Sequence, residues 1–157
     1  MPSITPTLWF DQNLEEAAQF YTSVFPNSHI EGYTRYTEVG PGEPGSVAFG
    51  AFVLDGNRFI GINGGPVFTF DEAVSFTVDC KDQDEVDYYW TKLTEGGEES
   101  QCGWLKDRFG LSWQIVPARL LELVNDPDPA RAAAATKAMH GMSKIVVEDL
   151  EKAVAEA

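Results

Sequence analysis

Two stretches of this chain can be laid over one another, and that repetition limits the folds open to it more than any other feature. Leu14, Ala17, Ala18, Tyr21 and Val24 recur at helical spacing. Val86, Tyr89, Trp90 and Leu93 obey the same rule at i, i+3, i+4 and i+7. Asn13 and Glu16 open the first helix with an N-x-x-E pattern close to a capping box; Asp82 and Glu85 open the second with D-x-x-E. A short strand ended by an acid precedes each helix, at 7–10 before Asp11 and at 74–78 before Asp79. One constant offset carries Asn13 to Asp82, Glu16 to Glu85, Ala17 to Val86, Tyr21 to Trp90 and Val24 to Leu93. Strand, acid, cap and apolar stripe recur in one order, which is an internal repeat.

The segments after each helix extend the match. In the first half, strands are predicted at 28–37, 46–54 and 58–63, with Asp55-Gly56-Asn57 as a hairpin signal. In the second half they fall at 98–101, 102–107 and 111–116, with Asp107-Arg108-Phe109-Gly110 as a turn. Each half therefore runs β-α-β-β-β. The tail reads as helical: a short piece after Pro117, then a helix with Asp128 as N-cap and Pro129 at its first position, stopped by Gly141. A last amphipathic piece carries Leu150, Ala153 and Val154. The expectation is an α+β fold: two βαβββ modules forming a cleft-bearing curved sheet, with C-terminal helices. Residues 1–157 form one domain in this reading, with module one at 4–65, module two at 72–117 and the helical tail at 118–157.

Bulk properties narrow the function classes. The net charge of −14 is spread along the chain, and such a surface repels phosphate backbones, so no nucleic-acid partner is expected. No apolar run approaches a membrane span, and Met1-Pro2-Ser3-Ile4-Thr5 has no basic, signal-like character. The expectation is a cytoplasmic chain without a membrane partner. Cys80 and Cys102 have neither metal-site nor disulfide-framework spacing, and only His29 and His140 offer an imidazole base.

Several motifs carry a resemblance: Leu8-Trp9-Phe10-Asp11, Ala17-Ala18-Gln19-Phe20-Tyr21, Val24-Phe25-Pro26-Asn27-Ser28, Asn63-Gly64-Gly65-Pro66, the strand 73–80, and the stretch from Gln101 to Gln114. On these the chain resembles the vicinal oxygen chelate superfamily, the glyoxalase, bleomycin-resistance and dioxygenase proteins. Within it the chain is similar to the PhnB-like branch labelled 3-demethylubiquinone 3-methyltransferase domain. The resemblance implies two βαβββ modules around a cleft and a homodimer, to which the apolar tail helices would add an interface. It also implies where related enzymes place His or Glu metal ligands: Pro6, Gly61 or Asn63, Ala73 or Val74, and Gln114. None of these is a His or a carboxylate, so no catalytic metal is expected. Methyl transfer from S-adenosylmethionine usually needs a Gly-rich strand-to-helix turn. Gly61-Ile62-Asn63-Gly64-Gly65 is succeeded by Pro66 instead, so no cofactor is expected.

Strand parity nominates the cleft face. It puts Pro6, Leu8 and Phe10 inward, Phe59, Gly61 and Asn63 inward, and Ser75, Thr77, Ser112 and Gln114 inward; Trp9, Ile60 and Ile62 then pack on helix. Phe68 and Phe70 either close over a ligand or join the core, and Trp104 lies at a strand rim. The charges of Lys106, Asp107 and Arg108 are expected to be solvated. The candidate ligand-binding set is Leu8, Asn63, Phe68, Ser75, Thr77, Trp104 and Gln114. Its polar members either meet a small molecule or hydrogen-bond one another. Three functions are open to such a chain: a metal-free protein binding a small apolar or aromatic ligand, an enzyme of unassigned reaction (the quinone methyltransferase included), or an antibiotic-sequestering protein.

Overall fold

The computed structural model describes residues 1–157, which form two compact units, Met1–Phe70 and Asp71–Ala157. In the first, the order is β1 (Thr7–Phe10), α1 (Leu14–Val24), β2 (His29–Arg35), β3 (Val47–Leu54) and β4 (Asn57–Asn63). The sheet order is β1-β4-β3-β2, with β1 parallel to β4 and the other pairs antiparallel. The β3–β4 hairpin turns on Asp55 at φ 47° and Gly56 at φ 78°, both in the region a two-residue turn needs. Helix α1 buries the expected stripe, Leu14, Ala17, Ala18, Tyr21 and Val24. Tyr21 stacks on Phe52 at 6.2 Å, and Phe52 on Phe59 at 5.7 Å.

The parity expected for β1 and β4 is reversed in the structure. Leu8, Phe10, Phe59, Gly61 and Asn63 are buried on the face under α1, whereas Trp9, Ile60 and Ile62 lie half-buried on the other face. The cause is physical: both alternating sets are apolar, so hydrophobicity alone does not choose between them. Gly61 does choose. A Cβ there would sit 2.1 Å from Leu14 Cδ1, so the helix seats closely only where the sheet offers a glycine.

The second unit runs β5 (Ser75–Cys80), α2 (Gln83–Thr94), β6 (Glu98–Glu99), β7 (Trp104–Lys106), β8 (Ser112–Pro117), α3 (Ala118–Val124), α4 (Pro129–His140) and α5 (Val147–Ala155). Its sheet order, β5-β8-β7-β6, places the first and fourth strands side by side and parallel, as in the first unit. The fold is thus α+β, with two four-stranded mixed sheets, helices and a helical C-terminal segment. Helix α2 buries Val86, Trp90 and Leu93, and its N-cap Asp82 accepts the Glu85 N–H at 3.0 Å. Strands β6 and β7 are shorter than the sequence predicts. Cys102 at φ 60° and Gly103 at φ 84° form a turn between them, and their N–H groups donate to the Met142 and Ser143 carbonyls, both at 2.8 Å.

The tail closes on its own unit. Leu120, Leu123, Ala135, Ile145, Leu150 and Val154 form one buried cluster with Val116 of β8. Gln83 of α2 clasps this segment, donating to the Ile145 carbonyl at 3.0 Å and accepting the Val147 N–H at 2.8 Å. The tail helices bury most of their apolar stripes within their own unit, and Leu121 stays half exposed. No helix is long and apolar enough to cross a membrane.

Candidate functional site

The second sheet has one face against α2 and one face turned away from it. Parallel register pairs Ser75 with Ser112 and Thr77 with Gln114; antiparallel register pairs Gln114 with Trp104 and Ser112 with Lys106. Side chains alternate along a strand. Phe76, Trp113 and Ile115 thus share the α2 side, while Ser75, Thr77, Trp104, Lys106, Ser112 and Gln114 share the other. The alternation of small polar and large apolar residues in β5 made this parity legible. Four of the seven candidates, Ser75, Thr77, Trp104 and Gln114, are therefore brought together.

Their geometry is specific. Gln114 Nε2 donates to Ser75 Oγ at 2.9 Å, which orients the amide and points its carbonyl oxygen away from that bond. Thr77 is exposed, and Trp104 and Gln114 are half-buried, neighbours in one row across β5, β8 and β7. An indole wall beside an oriented amide and two hydroxyls is the kind of surface small molecules use.

The first unit's candidates behave differently. Leu8 is part of the core under α1. Asn63 is 2% exposed, and both ends of its amide are engaged: Oδ1 accepts the Leu14 N–H at 3.0 Å and Nδ2 donates to the Val47 carbonyl at 3.1 Å. It holds the start of α1 and faces helix, not a cleft. Asn13, expected to cap that helix, makes no side-chain cap bond. The alternatives for Phe68 and Phe70 divide. Phe70 packs edge-on to core Phe10 at 5.5 Å, while Phe68 is 60% exposed and meets Trp9 edge-on at 4.8 Å.

Charged residues of the 104–108 stretch also depart from expectation. Asp107 is not solvated: it is 3% exposed and accepts N–H bonds from Phe109 at 2.8 Å, Leu111 at 3.1 Å and Trp113 Nε1 at 2.8 Å. Lys106 Nζ lies 2.5 Å from Glu72 Oε1, which holds the Glu72 carboxyl below its ordinary range and raises the Lys106 ammonium. Lys106, Ser112 and Glu72 border a small cavity that sequence reasoning missed. The missing signal was the strand register, which no local pattern supplies.

The metal positions implied by the resemblance do not fit a divalent ion. The Pro6 carbonyl accepts the Ile60 N–H at 2.9 Å, Gly61 has no side chain, Asn63 is fully engaged, Ala73 and Val74 are both apolar, and Gln114 is a neutral amide tied to Ser75. No three His, Cys, Asp or Glu side chains converge anywhere in the chain. Divalent metals want several such donors together. Nor does a thiolate nucleophile present itself in Cys80: it is buried, and its thiol is pushed up to about 12 by burial and then by Glu85, Asp79 and Asp82.

Comparison with known proteins places the chain. The family model for 3-demethylubiquinone-9 3-methyltransferase matches residues 2–116. The PhnB protein from Bacillus cereus, which carries the same methyltransferase description, is 37% identical over 74% of this chain and 100% of its own, with a TM-score of 0.68. A Pseudomonas aeruginosa protein is 18% identical over 74% of this chain and 98% of its own, with a TM-score of 0.61. The fosfomycin resistance protein FosX from Listeria monocytogenes is 13% identical over 75% of this chain and 93% of its own, at a TM-score of 0.53. These last two share the fold alone. No curated protein matches the chain. The chain belongs to the 3-demethylubiquinone-9 3-methyltransferase family and is PhnB-like, with the vicinal oxygen chelate fold.

Proposed function

We propose that this chain is a small-molecule-binding member of its family that works without a metal, and that an apolar or aromatic ligand lies on the face of the second sheet turned away from α2. One observation carries the reading: the Gln114–Ser75 hydrogen bond fixes an amide beside the Trp104 indole. The indole supplies flat apolar area, and the Gln114 carbonyl and Thr77 hydroxyl supply orientation. The donor chemistry supports binding over metal-assisted reaction, because no convergent ligand set is present.

Methyl transfer, the activity in the family's name, finds no support in the glycine-rich stretch. Gly61 serves the seating of Leu14, a Cβ at Gly64 would lie 2.2 Å from the Trp9 ring, and the Gly65 carbonyl accepts Trp9 Nε1–H at 2.9 Å. These glycines pack a tryptophan and a helix; no helix starts after them to receive a cofactor phosphate or carboxylate.

The test is a thermal-shift screen of aromatic and apolar compounds, repeated on Gln114→Ala and Trp104→Ala. Ligands that raise the wild-type Tm and lose that effect in both variants support the reading. A screen without a single wild-type shift, or with shifts indifferent to both substitutions, refutes it.

A further inference from the structure

Register in the second sheet sets Glu98, Lys106, Ser112 and Ser75 in one row across all four strands. Part of that row, with Trp104, Glu99 and the preceding Glu72, walls a cavity of about 110 Å³ lying wholly within the second unit. Ser112 is fully buried, and its Oγ has no hydrogen-bond partner. A hydroxyl withdrawn from water is normally paired, and this one has its hydrogen-bonding capacity unused at the cavity.

The charges say which guest. Lys106 is neutralised by Glu72. Glu99 accepts the Trp90 Nε1–H at 2.9 Å. Glu98 sits opposite Lys106 on the ladder yet makes no ion pair, since the ammonium turns to Glu72 instead. The cavity rim is therefore left negative, which disfavours an anion. A metal ion is disfavoured too, because the acidic side chains around the cavity do not form a group that could hold one. An organic cation needs less: one carboxylate, one acceptor and an apolar wall, with an indole face adding cation–π attraction.

We propose that this cavity binds the protonated amino group of a small organic amine, with Glu98 as counter-ion, Ser112 Oγ as hydrogen-bond acceptor and Trp104 as the wall for its methylene stem. The proposal rests on the reading of this face as a binding surface, since Trp104 serves both. It adds a ligand class and a charge requirement that the aromatic site does not have.

The test is an NMR titration of the full chain, tracking the Trp104 indole N–H, with n-butylammonium chloride at constant ionic strength. Potassium chloride, n-butanol and potassium butyrate are the controls. Saturable shifts with butylammonium alone are expected, with affinity falling about ten-fold or more in Glu98→Gln, as for loss of a close charge pair. Ser112→Ala, a second and smaller change, weakens the same binding. Shifts that fail to saturate, that appear equally with butanol, or that persist unchanged in Glu98→Gln overturn the proposal. Aromatic ligands found in the thermal screen are run on Glu98→Gln as well. In Glu98→Gln, retained aromatic binding beside weakened butylammonium binding is the supporting result; in the wild type, aromatic binding without butylammonium binding removes this inference only, and absence of both removes the binding face itself.

Discussion

Asn63 at the end of β4 holds the first residue of α1: its Oδ1 accepts the Leu14 N–H at 3.0 Å while its Nδ2 donates to the Val47 carbonyl at 3.1 Å. A helix start leaves N–H groups without partners, and here a strand residue 49 positions away supplies one. Asn63→Ala leaves a buried donor and a buried acceptor unpaired, so the expected loss is roughly 2–4 kcal/mol. Asn63→Asp keeps the acceptor for Leu14 but turns a second acceptor on Val47, so it destabilises as well. Urea unfolding checks both, as a lower midpoint at unchanged slope. Wild-type stability in Asn63→Ala together with lost ligand binding would reinstate Asn63 as a ligand residue.

Asp107 is the acceptor for three N–H groups, one of them the Trp113 indole at 2.8 Å. An asparagine in its place has one oxygen for those donors and sets an NH₂ group against another. Asp107→Asn is therefore expected to cost about 2–3 kcal/mol, in the range for hydrogen bonds to a charged group. Part of that loss should vanish in a Trp113→Phe background, where one of the three donors is gone. Additive losses in this double-mutant cycle would show that the indole bond contributes nothing.

Cys80 gives stability an alkaline limit. Its folded thiol is pushed up to about 12, chiefly by burial. An unfolded thiol titrates near about 8.5. Between those values the unfolded chain releases a proton that the folded chain keeps. The stability this group contributes is thus complete below the unfolded value and is lost as pH rises toward the folded one, by up to about 1.4 kcal/mol per pH unit. Denaturant midpoints should fall more steeply between about pH 8.5 and 10 for wild type than for Cys80→Ala. Parallel pH profiles would show that Cys80 is not the source.

Much of this architecture is legible in the sequence alone. Helical spacing locates α1 and α2 because their stripes are long and their opposite faces polar. In β5 the alternation of Ser75 and Thr77 with Phe76 and Val78 gives the right face, and with it the row holding Gln114 and Trp104. The same rule fails in β4, where Ile60 and Ile62 compete with Phe59 and Gly61 and only the seating of Leu14 on Gly61 decides. The offset that aligns the helices also misleads by one residue at the strands. Phe10 and Cys80 end β1 and β5, but three residues separate Phe10 from α1 and two separate Cys80 from α2. Gln12, at φ 66°, lies in the longer loop. The burial of Asp107 and the cavity at Ser112 are invisible for another reason: both depend on residues that meet only through register and turn geometry.

The tail supplies the last prediction. The family match ends at residue 116, just before α3 begins at Ala118. The second unit nevertheless buries Val116 in one cluster with Leu120, Leu123, Ile145, Leu150 and Val154. Ile145 also packs on the turn at Gly103, where a Cβ would lie 3.1 Å from its Cγ1, and the neighbouring Cys102 N–H bonds the Met142 carbonyl. That turn leads into Trp104, so the tail braces one wall of the proposed binding face. Leu150→Ala is expected to cost about 2–5 kcal/mol, the range for a fully buried leucine. Ending the chain after Pro117 should expose Val116, free the 101–103 turn and lower Tm sharply. Hydrogen exchange at Cys102, Gly103 and Trp104 is the discriminating readout, because it separates bracing of the turn from general loss of stability. A truncated chain with wild-type Tm and unchanged protection at those amides would mean that the helices are an appendage and brace nothing.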